Sequence, residues 1–325
     1  MKDQIVVFGG AGFIGSHLLE RMSKTDPEAQ MTSVDIAEPR WRVDGVTYLR
    51  HDLTLPLGDL IDGPVRKIFN LAAVHTTPGH PDWEYFWANV LGATHVCDFA
   101  RSKGVNELLF TSSISVYGPT EEAVDESSPL RPESAYGKSK LCAEEIHRQW
   151  HNEQPAGRKL TIVRPAVIFG REERGNFTRM TRMLARNRFV FPGRTDTIKS
   201  CGYVKDLVES MFFAMDRAEP TFTYNFAYPE RHTSKDIADA MAEVGGYKKA
   251  ERVVPKLAVL GAGQVFEGLD RVGVKTGINR ARVMKLNLST NVVPEALVAT
   301  GFRYSYDLKS ALADWKKESK RTDFD

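Results

Sequence analysis

Short apolar runs rich in β-branched residues alternate along this chain with longer segments whose apolar positions recur at helical spacing. The runs are "QIVVFG", "MTSVD", "VTYLR", "KIFNLAA", "ELLFTSS" and "KLTIVRP". Each has the length and composition of a buried parallel strand. After the first of them, Ile14, Leu18, Leu19 and Met22 define one face of a helix. Regular alternation of this kind predicts an α/β fold, a doubly wound parallel sheet covered on both faces. Beyond Pro165 the pattern loosens. "REERGNFTRMTRMLARNRF" reads as a basic helix, "GYVKDLVESMFFAM" and "PKLAVLGAGQVFEGLDRVG" as amphipathic helices, and "TYNFA" as a short strand. "SKDIADAMAEVGG" begins on a capping hydroxyl and ends on glycines, as a helix should.

Where the first strand gives way to the first helix, "VVFGGAGFIGSHLLERM" places four glycines in seven residues. Gly9, Gly12 and Gly15 suit a tight turn, an approach by pyrophosphate to the helix N-terminus, and close helix-to-strand packing. Twenty residues past Gly15, Asp35 ends the second strand. A carboxylate there accepts hydrogen bonds from the adenosine ribose hydroxyls and repels a 2′-phosphate, which favours NAD over NADP. Arg40 and Arg42 follow closely and could hold a phosphate instead.

The length of 325 residues suits one large α/β unit or two closely joined domains, and 42% hydrophobic content supports a sizeable core. Forty-four basic against 42 acidic side chains give a net charge of +2 and no reason to propose a nucleic-acid partner. Cys97, Cys142 and Cys201 lack metal-ligand spacing and read as reduced thiols. "MKDQ" leads straight into the first strand and no apolar run approaches a membrane span. A soluble, cytoplasmic protein with no membrane partner is therefore expected. The tail "DWKKESKRTDFD" reads as a solvated helix end.

"SAYGKSKLCAEEI" sets Tyr136 and Lys140 four apart, on one face of a helix. A free tyrosine, with a pKa near ~10, is a poor base at neutral pH. An ammonium at ~4 Å in an effective dielectric of ~20 contributes about 4 kcal/mol, or roughly three powers of ten in ionisation. The pair follows the strand "ELLFTSS", whose C-terminal end lies where open α/β sheets bind ligands. Ser113, with Ser112 as its rival, could donate to a substrate oxygen while Tyr136 takes a proton.

"GGAGFIGSHL", "NLAA", "NVLGATHV", "SSISVYG" and "YGKSK", in this order and spacing, resemble the extended short-chain dehydrogenase/reductase family in its nucleotide-sugar epimerase/dehydratase branch. The resemblance covers nearly the whole chain and implies a Rossmann-type cofactor domain over 1–165, rejoined by about 198–226. Residues 166–197 and 227–325 would then form most of a smaller substrate-binding domain. It implies Ser113, Tyr136 and Lys140 as catalytic residues. Phe13, Ile14, Asp52, Leu53, Leu71, Ala72, Ala73 and Asn89 would join the glycines and Asp35 along NAD. Asn176, Lys199, Arg280 and Arg282 would face the substrate, for which a UDP-sugar is favoured, and the protein would be a homodimer serving polysaccharide biosynthesis.

Departures from the family pattern narrow the chemistry. Members that eliminate water usually carry an Asp-Glu pair just after the active-site Ser or Thr, where this chain has Ile114 and Ser115; decarboxylases place a Glu at the position of Ser115, and 3,5-epimerases a Cys nearby. With Tyr136 as the one acid or base, 4-epimerisation is favoured, with keto reduction as the alternative and a non-catalytic NAD sensor behind both. Val167, where many 4-epimerases carry Asn, and Lys199, where an Arg often holds the diphosphate, stand against the first choice.

Overall fold

A computed structural model describes residues 4–77, 79–255, 287–319 and 324–325. Its centre is a seven-stranded parallel sheet built from β1 (Gln4–Phe8), β2 (Gln30–Asp35), β3 (Val46–Arg50), β4 (Val65–Asn70), β5 (Glu107–Thr111), β7 (Lys159–Pro165) and β11 (Thr221–Phe226). Their order across the sheet is β11-β7-β5-β4-β1-β2-β3. The order reverses at β1, which lies between β2 and β4 with Val6 beside Thr32 and Ile68. A crevice for a ligand opens at such a reversal, outside the carboxyl ends of the strands.

Successive side chains of β1 enter opposite layers. Val7 packs with Leu18, Leu19 and Met211, so the first layer contains α1 (Phe13–Thr25) and α6 (Val204–Met215). Val6 and Phe8 pack with Val96, Phe99 and Trp150 in the second, formed by α3 (Gly92–Ser102) and α4 (Ala135–Asn152). Burial on both faces explains why β1, β2, β5 and β7 read as apolar runs, whereas the edge strand β3 is only partly buried. Three smaller parallel pairings lie outside the sheet: β6 (Thr120–Val124) with β13 (Thr290–Val292), β8 (Val167–Phe169) with β10 (Cys201–Tyr203), and β9 (Phe191–Pro192) with β12 (Val253–Val254).

Two sequence-based expectations need correction. The basic helix expected from Arg171 onward is confined to α5 (Asn176–Ala185), because Arg171–Arg174 offers no apolar stripe to bury. Glu172 (φ 66°) and Arg174 (φ 53°) adopt left-handed backbone there, and the Glu173 carboxylate accepts from the Thr178 amide at 3.0 Å. The tail is also more than a solvated helix end. After α9 (Leu308–Glu318), Phe324 is fully buried against Trp315, at 5.1 Å and 78°.

The α7 helix (Ser234–Gly245) carries the expected signals: Thr233 and Asp236 cap one another, and Gly246 leaves the helix at φ 73°. The three cysteines form no disulfide. No helix among the described residues is long and apolar enough to cross a membrane. The amphipathic segment within 256–286, with Arg280 and Arg282, lies outside the described residues.

Candidate active site

At the end of β1 the three glycines meet different constraints. A Cβ on Gly9 (φ 79°) would lie 2.6 Å from the Ala72 amide nitrogen, and one on Gly15 2.4 Å from the Gly9 carbonyl. Gly9 and Gly15 are thus required by the chain itself. Gly12, which precedes α1, would meet only the Gly9 oxygen, at 3.2 Å. Its bareness leaves open space at the N-terminus of the helix, with Phe13 and Ile14 in the first turn. That cradle fits a pyrophosphate. Leu71, Ala72 and Ala73 run alongside, with the Leu71 amide donating to the Phe8 carbonyl at 2.8 Å.

Asp35, at the carboxyl end of β2, accepts from the Ala11 amide at 3.1 Å and the Ala37 amide at 3.0 Å. Its carboxylate therefore borders the glycine turn. Arg42 pairs with Glu38 at 3.2 Å, while Arg40 faces the charges of Glu172, Glu173 and Arg174. Asp52 lies just beyond β3, its carboxylate accepting from the Thr54 amide at 2.9 Å, and the neighbouring Leu53 carbonyl contacts His95 at 2.8 Å.

Asn89 sits on a π-helical turn (Trp87–Leu91) ahead of α3. Its side-chain oxygen accepts from the Val74 amide at 2.8 Å, and its nitrogen donates to the Val74 carbonyl at 3.1 Å and to Ser139 at 2.9 Å. With both amide hydrogens committed, Asn89 fastens the loop after β4 to the Tyr136 helix.

Tyr136 and Lys140 lie in the first two turns of α4, which Ser134 caps by accepting from the Gly137 amide at 3.1 Å. Ser113 begins a short 3₁₀ turn after β5; its oxygen accepts from the Ser115 amide at 3.1 Å and donates to the Ser115 hydroxyl at 3.2 Å, and Ser113 is the side chain that favours ionisation of Tyr136. The neighbouring Ser112 instead donates to Glu144 at 2.5 Å. This separates the rival serines: Ser113 faces the phenol, and Ser112 belongs to a buried network. In that network Arg164 forms two hydrogen bonds with Glu144, at 2.9 and 2.7 Å, and a third with the Tyr117 hydroxyl at 2.8 Å. Tyr117 in turn donates to Asn225 at 2.9 Å.

The electrostatics reverse one expectation. Burial holds the Tyr136 phenol above its ordinary value, although the Ser113 hydrogen bond favours ionisation. Burial pushes Lys140 down to about 7, opposed by Glu144. The ammonium lies over the Phe110 ring, 4.2 Å from its centroid. Desolvation of both groups therefore outweighs the pull expected between them, and the protein alone favours neutral phenol. Phe110 and the network were not legible in the sequence because the contacts join α4 to strands β5 and β7, far apart in the chain. Glu144, one turn past Lys140 on the same helix, was accessible from spacing.

The residues expected at the substrate are more scattered. Asn176 is the first residue of α5. Lys199 donates to the Leu288 carbonyl at 2.5 Å, and burial lowers it to about 8. Nearby, Arg194 pairs with Glu121 at 2.6 Å and donates to Ser289 at 2.9 Å, a cluster sequence spacing does not reveal.

The model of the NAD dependent epimerase/dehydratase family matches residues 5–227. The chain belongs to this family. It is an NAD-dependent enzyme of the nucleotide-sugar epimerase/dehydratase type. Over 317 residues, 96% of this chain and 94% of the relative, it is 29% identical to the N-acetyl-alpha-D-glucosaminyl-diphospho-ditrans,octacis-undecaprenol 4-epimerase of Escherichia coli O157:H7. The solved structure of a UDP-galactose 4-epimerase is 25% identical with a TM-score of 0.70, covering 96% of this chain and 97% of that one. MoeE5, solved with UDP-glucuronic acid and NAD, shares the fold at a TM-score of 0.75 and 21% identity, over 97% and 99% of the two chains.

Proposed function

We propose that this enzyme is a 4-epimerase of a diphosphate-linked sugar, a UDP-sugar in the first instance. The observation that carries the proposal is that Ser113 acts on Tyr136, one helical turn from Lys140, in a site where Ile114 and Ser115 stand in place of a second acid or base. Tyr136 takes the proton of the C4 hydroxyl, and Ser113 donates to the same oxygen as it becomes a carbonyl. Bound NAD supplies a reversible hydride acceptor. Its positive nicotinamide would favour the phenolate that burial alone disfavours. Gly12 and the first turn of α1 hold the pyrophosphate, Asp35 the adenosine ribose, and Lys140 the nicotinamide ribose. Once C4 has regained its hydrogen on the opposite face, Tyr136 returns the proton to the C4 oxygen and restores the hydroxyl of the inverted centre without any other titratable side chain.

Asn176 and Lys199 are assigned to the substrate diphosphate. On this assignment residues 1–165 and 198–226 serve mainly the cofactor, with 166–197 and 227–325 mainly the sugar. A homodimer with cytoplasmic location accompanies the proposal. The 94% coverage of the undecaprenol-linked relative favours a second reading in which a polyprenyl diphosphate replaces the nucleotide. The test is to supply UDP-glucose, UDP-N-acetylglucosamine and a polyprenyl-diphospho-N-acetylglucosamine separately, with no reductant. Conversion of one to its 4-epimer supports the assignment and identifies the carrier. Turnover of a 4-keto sugar only with stoichiometric NADH oxidation would replace it with a reductase.

A further inference from the structure

The segment after Asp35 is joined to the opposite wall of the cofactor crevice by side chains that the epimerisation chemistry does not use. The Arg40 amide donates to the Ala11 carbonyl at 3.2 Å, so this segment lies against the glycine turn. Next to it, Trp41 receives the Arg171 guanidinium on its ring, 4.1 Å from the centroid. Arg171 belongs to the loop between β8 and α5 and forms an ion pair with Glu20 of α1. His17, on the same helix, lies edge-on to Trp41 at 4.9 Å and to Phe13 at 5.4 Å. Its Nε2 is 3.0 Å from the Arg171 carbonyl, which can only accept, so Nε2 carries the hydrogen.

We propose that Arg171 and Trp41, keyed by His17, form a clasp that closes the β8–α5 loop over the adenosine end of the crevice and retains NAD between turnovers. The contacts run in series from Phe13, beside the pyrophosphate cradle, through His17 and Trp41 to Arg171. The segment bearing Trp41 begins one residue after Asp35, so closure at Arg171 fixes the wall beside the adenosine ribose.

The same contacts indicate a clasp that can open. Trp41 Nε1 and Arg171 Nε are buried donors with no partner, an arrangement that costs free energy in the closed state. Glu172 and Arg174 in the closing loop hold left-handed backbone. Arg40, opposite them, feels Arg174 as a like charge and Glu172 and Glu173 as opposite ones. Stacking therefore supports closure, while the unpaired donors and loop strain oppose it. Such a balance suits a latch for cofactor loading better than a permanent wall.

The test follows NAD release from the purified holoenzyme. Alcohol dehydrogenase and ethanol in excess convert released NAD to NADH, read by fluorescence. Arg171→Ala and Trp41→Ala are expected to release NAD about tenfold faster than the unmodified protein, as loss of a desolvated cation–π contact implies. Arg171→Lys, which keeps the charge beside Glu20 but loses the flat stack, should fall between, and Trp41→Phe should stay near the unmodified rate. If an alanine variant fails to fold, Arg171→Lys still distinguishes the outcomes, with Trp41→Phe as the control that keeps the stack. Unmodified release rates in Arg171→Lys and in every folded alanine variant would overturn the proposal. The measurement needs no sugar, so its outcome is separate from that of the epimerase assignment.

Discussion

Ser112 and Ser113 are adjacent in sequence, yet their hydroxyls serve different partners: Ser112 donates to the buried Glu144 carboxylate at 2.5 Å, while Ser113 donates to Ser115 at 3.2 Å and favours ionisation of Tyr136. Replacing each by alanine should therefore separate stability from chemistry. Ser113→Ala is expected to lower kcat by on the order of 10²-fold or more with little change in melting temperature. Ser112→Ala leaves part of a buried charge network unsatisfied and should cost about 1–3 kcal/mol of stability. Turnover and denaturant unfolding on both variants check the division; a large kcat loss confined to Ser112→Ala would reverse the roles.

Lys140 gives the nucleotide-free protein a pH signature. In the unfolded chain its proton is held to about pH 10.4, but in the fold only to about 7. Between those values the unfolded state carries the extra proton, so this group's contribution makes stability rise with pH. Lys140→Met should thus melt above the unmodified protein near pH 7, with the gap closing toward pH 10. Melting curves at several pH values check this; a gap that widens with pH would contradict the burial assigned to the ammonium. The same variant should bind NAD weakly and turn over poorly.

Asp35 tests cofactor choice. Its carboxylate borders the glycine turn through the Ala11 amide, and no described arginine takes a place beside it as an ion-pair partner. NADPH should bind at least tenfold more weakly than NADH, and Asp35→Ala should narrow that ratio while weakening both, because two backbone contacts are lost with the carboxylate. Fluorescence titration measures the ratio. Tighter NADPH binding by the unmodified protein would reverse the preference.

The sheet and the glycine turn were legible because period and punctuation are local: the inner strands β1, β2, β5 and β7 are buried on both faces, and the glycines sit between a strand and a helix. That Tyr136 and Lys140 lie one turn apart on the same helix was legible for the same reason. What spacing could not reveal is how burial alters those groups. Phe110 reaches Lys140 from β5, and Arg164 reaches Glu144 from β7, contacts that exist only after the sheet has assembled. The clasp was hidden likewise, since Trp41 and Arg171 are far apart in the chain. The tail misled because charged residues surround Phe324, a single apolar anchor without period.

Turnover in heavy water tests Tyr136 as the sole acid or base most directly. Hydride that leaves C4 and returns from the same cofactor never exchanges with solvent, and the absence of an acid or base at Ile114 and Ser115 leaves C5 untouched. The expected product is the 4-epimer with no deuterium on carbon at C4 or C5 by NMR, formed without net consumption of NAD, and Tyr136→Phe should form it at least ~10²-fold more slowly. Deuterium at C5 would show that a second acid or base works at the sugar and would contradict the mechanism.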